Sequence, residues 1–114
     1  MIKINPSILC PRFEIAMKII STRWSGLIVF SLLSGTQRFS SMEASLPISG
    51  RLLSERLKEL EKEGIVHREV IPETPVRIEY SLTEKGRALE PIITEIQNWS
   101  QEWITDEDIE RSNR

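Results

Sequence analysis

The chain offers a sulfur nucleophile once, at Cys10, and an imidazole once, at His67. Its only aspartates are Asp106 and Asp108, and no glycine-rich phosphate loop occurs. No nucleophile, base and orienting group can be assembled from that inventory within one chain. A zinc site dominated by Cys and His is excluded, as is an internal disulfide. The expectation is a protein that is not an enzyme and needs no cofactor. His67, beside Arg68, reads as a structural or surface residue. What remains is the chemistry of recognition, concentrated in Arg38, Ser49, Arg51, Ser54, Glu55, Lys58 and Arg77.

Most of these residues lie on one helix. Ser49 offers a side-chain oxygen to the open N–H groups of a helix over about 50–63, which Gly64 ends. Leu53, Leu57 and Leu60 fall within roughly 60° of one another at helical spacing and form a buried seam. Arg51, Glu55, Lys58 and Lys62 then face outward, with Ser54 at the margin. Such a helix can enter the roughly 12 Å wide major groove of DNA, with Arg51 placed for a bidentate guanine contact. Ser49 and Arg38 start the fourth and third helices, where phosphate is favoured. Lys58 and Lys62 read equally well as solvated charges paired with Glu55 and Glu59. Arg77, at a hairpin tip, would reach the backbone or minor groove, although Glu73 and Glu79 weigh against it.

The elements that must position these residues follow from periodicity and punctuation. Pro11 suits the first turn of a helix over about 11–20, with Phe13, Met17 and Ile20 on one stripe and Ile15 and Ala16 beside it. Ser21 or Thr22 would cap a second helix, about 23–34, that is apolar on most sides and ends at Gly35. Phe39 to Ser45 forms a short third helix, stopped by Pro47. After the fourth helix, strands over 65–71 and 77–82 flank a turn at Pro72-Glu73-Thr74-Pro75, and Ile78, Tyr80 and Leu82 alternate with polar residues. Thr83 would cap a last helix over about 84–103. The acidic remainder, 104–114, is expected to fray. The fold class is therefore mainly α with a small β-hairpin wing, an α+β winged helix-turn-helix in a single domain.

The formal charge of −2 is unevenly distributed: residues 1–37 carry +3, 38–87 carry zero and 88–114 carry −5. Attraction to phosphate must then come from local placement of basic residues. The near-neutral middle leaves a second reading open, a winged-helix module for protein–protein contact. No apolar run approaches the roughly 20 residues of a membrane span, and the N-terminus lacks the order of a secretory signal. A cytoplasmic protein with no membrane partner is expected.

The sequence resembles the HxlR-type branch of winged-helix regulators, related to MarR-like proteins. The resemblance rests on Cys10-Pro11, Arg23-Trp24, Gly35, Arg38-Phe39, Pro47-Ile48-Ser49, Leu53 and Leu57-Lys58-Glu59-Leu60-Glu61. It continues through Gly64-Ile65-Val66, Arg68, Pro72-Glu73, Glu79-Tyr80-Ser81-Leu82-Thr83 and Gly86. Ser41-Met42 departs from the acidic residue and leucine common there. The resemblance implies a homodimer, held by the N-terminal segment (about 1–20) and the last helix (about 84–103), that binds a pseudo-palindromic operator on double-stranded DNA, most often as a repressor.

Two further features bear on assembly and control. Ile93, Ile96, Trp99 and Trp103 continue an apolar stripe longer than so small a core can cover, which points to a dimer surface. Cys10 stands just ahead of a helix N-terminus, where open N–H groups and the helix dipole favour the reactive anionic form. Relatives of this type sense quinones, aldehydes or disulfide stress through a cysteine here, which implies an electrophile or oxidant as effector. The alternative is a small residue packed at the dimer contact.

Overall fold

Leucine spacing organises the molecule. The structure, a computed structural model, describes residues 10–113. Helix α4 (Gly50–Lys62) turns Leu53, Leu57 and Leu60 fully inward. They meet Ile28, Val29 and Leu32 of α2 (Ser25–Leu32) and Met42 of α3 (Phe39–Ser45). Each such side chain contributes about 1.5–3 kcal/mol by leaving water. Ile65, Val66, Tyr80, Leu82 and Ile93 complete the core from the sheet side and the last long helix.

The expected elements are present, with differences at their ends. Helix α1 spans Pro11–Ser21 and α2 starts at Ser25 rather than near Arg23. Neither Ser21 nor Thr22 caps α2. The Thr22 hydroxyl donates back to the Lys18 carbonyl at 2.6 Å, and Trp24 occupies the N-cap position with φ 77°. Arg23 covers the Trp24 ring, its guanidinium carbon 4.7 Å from the centroid. This turn separates α1 from α2, which are bent by 80° relative to one another.

The hairpin is strands β2 (Val66–Ile71) and β3 (Arg77–Leu82), paired Val66 with Leu82 through Ile71 with Arg77. A third strand, β1 (Gln37–Arg38), was not expected; it pairs Gln37 with Tyr80 and Arg38 with Glu79, making the order β1-β3-β2. Gln37 is held from behind, its side-chain amide donating to the Ser31 carbonyl at 2.6 Å. Two residues are too few to show alternation, so nothing in the pattern marks this strand.

The single helix expected over 84–103 is divided into α5 (Glu84–Arg87) and α6 (Glu90–Trp103). Pro91 has no N–H to return to the preceding turn, and the ladder breaks there. Thr83 does cap α5: its hydroxyl accepts from the Gly86 N–H at 3.1 Å and donates to the Gly64 carbonyl at 2.5 Å. Lys85 donates to the Glu63 carbonyl at 2.6 Å, serving the last turn of α4. Gly86 sits so close to the Ile65 carbonyl oxygen that a Cβ would overlap it.

The acidic segment expected to fray forms helix α7 (Asp106–Ser112). Thr105 and Asp108 make a reciprocal capping box, with the Asp108 N–H donating to the Thr105 hydroxyl at 3.1 Å and the Thr105 N–H donating to the Asp108 carboxylate at 3.0 Å. Arg111 pairs with the same carboxylate. The part of the expected dimerisation segment that falls on residues 1–9, and Arg114, lie outside the described residues. Among the described residues, no single helix is long and apolar enough to cross a membrane.

Two outcomes test this architecture. Gly86→Ala forces Cβ against a backbone oxygen that cannot swing away, so urea denaturation should show a loss of about 1–3 kcal/mol. Hydrogen bonds from the Thr105 backbone and then its hydroxyl hold the Asp108 carboxyl below its ordinary range. A lowered folded-state value means that the cap's support is complete above the unfolded carboxyl's titration and disappears as pH falls through the folded one. NMR amide shifts of residues 106–112 should therefore lose helical character on acidification, and at all pH values in Thr105→Ala.

Candidate nucleic-acid interface

Helices α3 and α4 meet through the connection 46–49. The Leu46 N–H closes α3 by donating to the Met42 carbonyl at 2.9 Å, and half-buried Leu46 and Ile48 pack against the core. Ser49 accepts from the Leu52 N–H at 3.2 Å, as its sequence position predicts, so the first turn of α4 is ordered while the N–H groups of Gly50 and Arg51 stay open. Gly50 lies against the Glu43 side chain of α3, whose carboxylate a Cβ there would overlap.

From that start, the seam of leucines sets what faces out. The Arg51 side chain is 90% exposed and pairs with Glu55 at 3.5 Å. An exposed pair one turn apart is worth only about 0.3–0.5 kcal/mol, so it yields readily to a phosphate or a guanine edge. Lys58 is exposed and Ser54 half-buried, and both line a cleft of about 370 Å³ shared with Phe39, Glu61, Arg68 and Tyr80. Arg38 is exposed where β1 passes into α3 and makes no ion pair among the described residues.

Two further basic residues, Arg56 and Arg77, are engaged by groups of the protein itself. Arg56 is 20% exposed in its side chain; it donates to the Arg23 carbonyl at 3.0 Å and to Glu59 at 3.2 Å, tying α4 to the turn before α2. Arg77 stands at the first rung of β3, its guanidinium 3.3 Å from Glu73 and 3.1 Å from Glu79. Arg68, not singled out from the sequence, joins Lys58 at the cleft; its register opposite Tyr80 on β2 becomes visible only once the strands are paired.

The assembly residues divide. Ile93 is 8% exposed and packs in the protomer's own core, so it adds little area to the outer stripe expected of it. Ile96, Trp99 and Trp103 are 49%, 58% and 64% exposed, and Ile92 joins them. Helix α1 buries none of its residues, and Phe13 and Met17 stand exposed on it. Cys10 is exposed at the N-cap of α1, followed by Pro11 at the first helical position.

Residues 19–108 match the family model described as HxlR-like helix-turn-helix. The chain belongs to this family. It is 68% identical over 101 residues to the HTH-type transcriptional regulator YvaP of Bacillus subtilis, an alignment covering 88% of this chain and 94% of the relative. It is 46% identical over 96 residues to YodB of the same organism, covering 83% and 86%. The reduced form of YodB superposes with TM-score 0.75 at 45% identity, over 85% of this chain and 96% of that one. The redox regulator HypR in its oxidised form superposes with TM-score 0.75 at 40% identity, over 82% and 96%. YodB has also been solved diamide-treated and quinone-bound. The chain is thus a DNA-binding transcriptional regulator of the HxlR type, related to MarR-like proteins, with a winged helix-turn-helix fold.

Ser49 gives a direct test of how the α4 N-terminus works. Ser49→Asp keeps a capping oxygen, so thermal stability should change by less than about 0.5 kcal/mol. Its new charge opposes phosphate at the same N–H groups, and DNA affinity measured by fluorescence anisotropy should fall about tenfold or more.

Proposed function

We propose that the protein is a sequence-specific regulator that binds a pseudo-palindromic operator as a homodimer, acts as a repressor, and is released by thiol-reactive oxidants or electrophiles through Cys10. The observation that carries the DNA half is the α4 N-terminus: a capped helix start with open N–H groups and a 90% exposed arginine beside them. Ser49, Arg38 and Lys58 hold phosphates in this reading, while Arg51, oriented by Glu55, reads a base edge with Ser54 at its margin.

The dimer is supported by the stripe of Ile92, Ile96, Trp99 and Trp103 together with exposed Phe13 and Met17 on α1. Two copies would place two recognition helices about one turn of DNA apart, near 34 Å, and so favour a symmetric operator. Control through Cys10 is supported by its exposure at a helix start and by the redox and quinone chemistry in the names of the YodB and HypR structures. With one cysteine per chain, two Cys10 thiols would pass two electrons and two protons to diamide and form an intersubunit disulfide. A quinone would instead be attacked at a ring carbon by each thiol's sulfur, the S–H proton being lost and the ring taking up the electron pair and a proton as the thioether-substituted hydroquinone.

One experiment separates these parts. DNA flanking the protein's own gene is titrated at several salt concentrations with wild type, Arg51→Ala and Cys10→Ser, before and after diamide, while sedimentation reports the oligomer. Wild type should bind saturably with a slope of roughly 0.9 per neutralised phosphate, and Arg51→Ala should lose about 1–3 kcal/mol of discrimination. Cys10→Ser should bind normally and stay bound under diamide. Its release by diamide would refute Cys10 as the sensor, a monomeric complex would refute the dimer, and salt-insensitive binding without sequence preference would point to a protein-interaction module.

A further inference from the structure

The wing carries an ion cluster that the DNA-binding reading does not explain. Arg77 ties the turn at residues 72–76 to β3: Nη2 lies 3.3 Å from Glu73, in the turn, and Nε lies 3.1 Å from Glu79, two residues further along its own strand. The Glu73 N–H donates to the Ile71 carbonyl at 2.8 Å, so the backbone that carries this carboxylate is fixed to the end of β2. Arg77 is 28% exposed in its side chain and its Nε is buried, whereas Arg51 is 90% exposed. Nε makes no well-aligned hydrogen bond despite its approach to Glu79; the pair is held by charge.

The surroundings are acidic. Directly opposed residues of an antiparallel pair share a face, so Arg38, Glu79 and Glu69 lie in one row across β1, β3 and β2. Glu79 therefore faces Arg38 and Arg77, and also a like charge at Glu69. One guanidinium flanked by two carboxylates presents a net negative charge to an approaching phosphate. On the other side of the cluster, Arg38, Phe39 and Ser40 from the start of α3 form, with the turn, a cleft of about 380 Å³.

We propose that Arg77 is a positioning residue and not a phosphate ligand: with Glu73 and Glu79 it clasps the wing turn shut and fixes its placement beside Arg38 and α3. Arginine suits this task because its extended guanidinium lies within reach of both carboxylates at once, while a lysine offers a single compact charge. Loss of the clasp leaves the wing turn free over the α3 N-terminus and weakens DNA binding without removing a phosphate contact. The DNA consequence rests on the function proposed above; the clasp itself is a property of the free protein.

The test uses Arg77→Lys and Arg77→Met in the full chain. Hydrogen exchange at the Glu73 amide, whose N–H donates to the Ile71 carbonyl, measured without DNA, should accelerate in both variants while that of core α4 amides stays unchanged. Operator affinity should fall about fivefold in both, and the salt slope should equal that of wild type. Full affinity in Arg77→Lys with a slope reduced by about 0.9 in Arg77→Met would identify a phosphate ligand and overturn the clasp. Unchanged exchange at the turn in both variants would overturn it as well, whatever the DNA result. Absence of operator binding by wild type would remove the function proposed above and leave the exchange result to decide the clasp.

Discussion

The structure depends on one constraint, the burial of Leu53, Leu57 and Leu60 on α4. Three leucines at helical spacing cannot enter the core without fixing the rotation of the whole helix, and that rotation presents Arg51, Glu55 and Lys58 to solvent. The outward face of α4 is a consequence of packing here, because it is whatever the core leaves uncovered. Arg56 shows how strict this is. One position beyond Glu55, it is turned toward the Arg23 carbonyl and serves the fold.

The second joint lies where α4 hands over to the wing. Gly64, with φ 75°, reverses the chain, and Thr83 bonds to the carbonyls of Gly64 and Ile65 while capping α5. Gly86 permits the Ile65 carbonyl to approach α5, and Lys85 serves the α4 C-terminus. A short cluster of backbone-directed contacts thus couples recognition helix, hairpin and the base of α6. A shift of α6 at an assembly surface would be passed on through these few rigid contacts, because the packed node has little room to deform.

Legibility in the sequence followed the physical strength of each signal. Helix α4 and its cap were readable because Ser49, three leucines and Gly64 each state the same boundary or face. The hairpin was readable from the alternation in Arg77 to Leu82. Strand β1 was not, since Gln37 and Arg38 become a strand only through pairing with Tyr80 and Glu79, a long-range condition. The break at Ala88-Leu89 was signalled by Pro91 but masked by an apolar stripe that continues across it. Helix α7 was obscured by its acidity, although acidic residues in a first turn favour a helix N-terminus and Thr105 to Asp108 has capping-box spacing. Among the candidate contacts, Ser49 and Arg51 stood out by position alone. The surroundings of Arg77 needed the strand register, because Glu79 is nearby in any case whereas Glu69 and Arg38 arrive from other strands.

An acidic chain that binds DNA is a problem only if charge acts through its sum. At physiological ionic strength, interactions between exposed charges fade over about 8 Å. The carboxylates of α7 therefore act within their own neighbourhood, where Thr105 and Arg111 engage Asp108. Within the wing the same short range works in the opposite sense. Glu69, Glu73 and Glu79 lie close enough to Arg38 and Arg77 to decide which of the two cations is available, and the ion pairs occupy Arg77. Arg38 is left exposed beside the α3 N-terminus. The cations open to an anion are thus selected by their neighbours, and a single wing carboxylate weighs more on its surroundings than its share of the net charge implies.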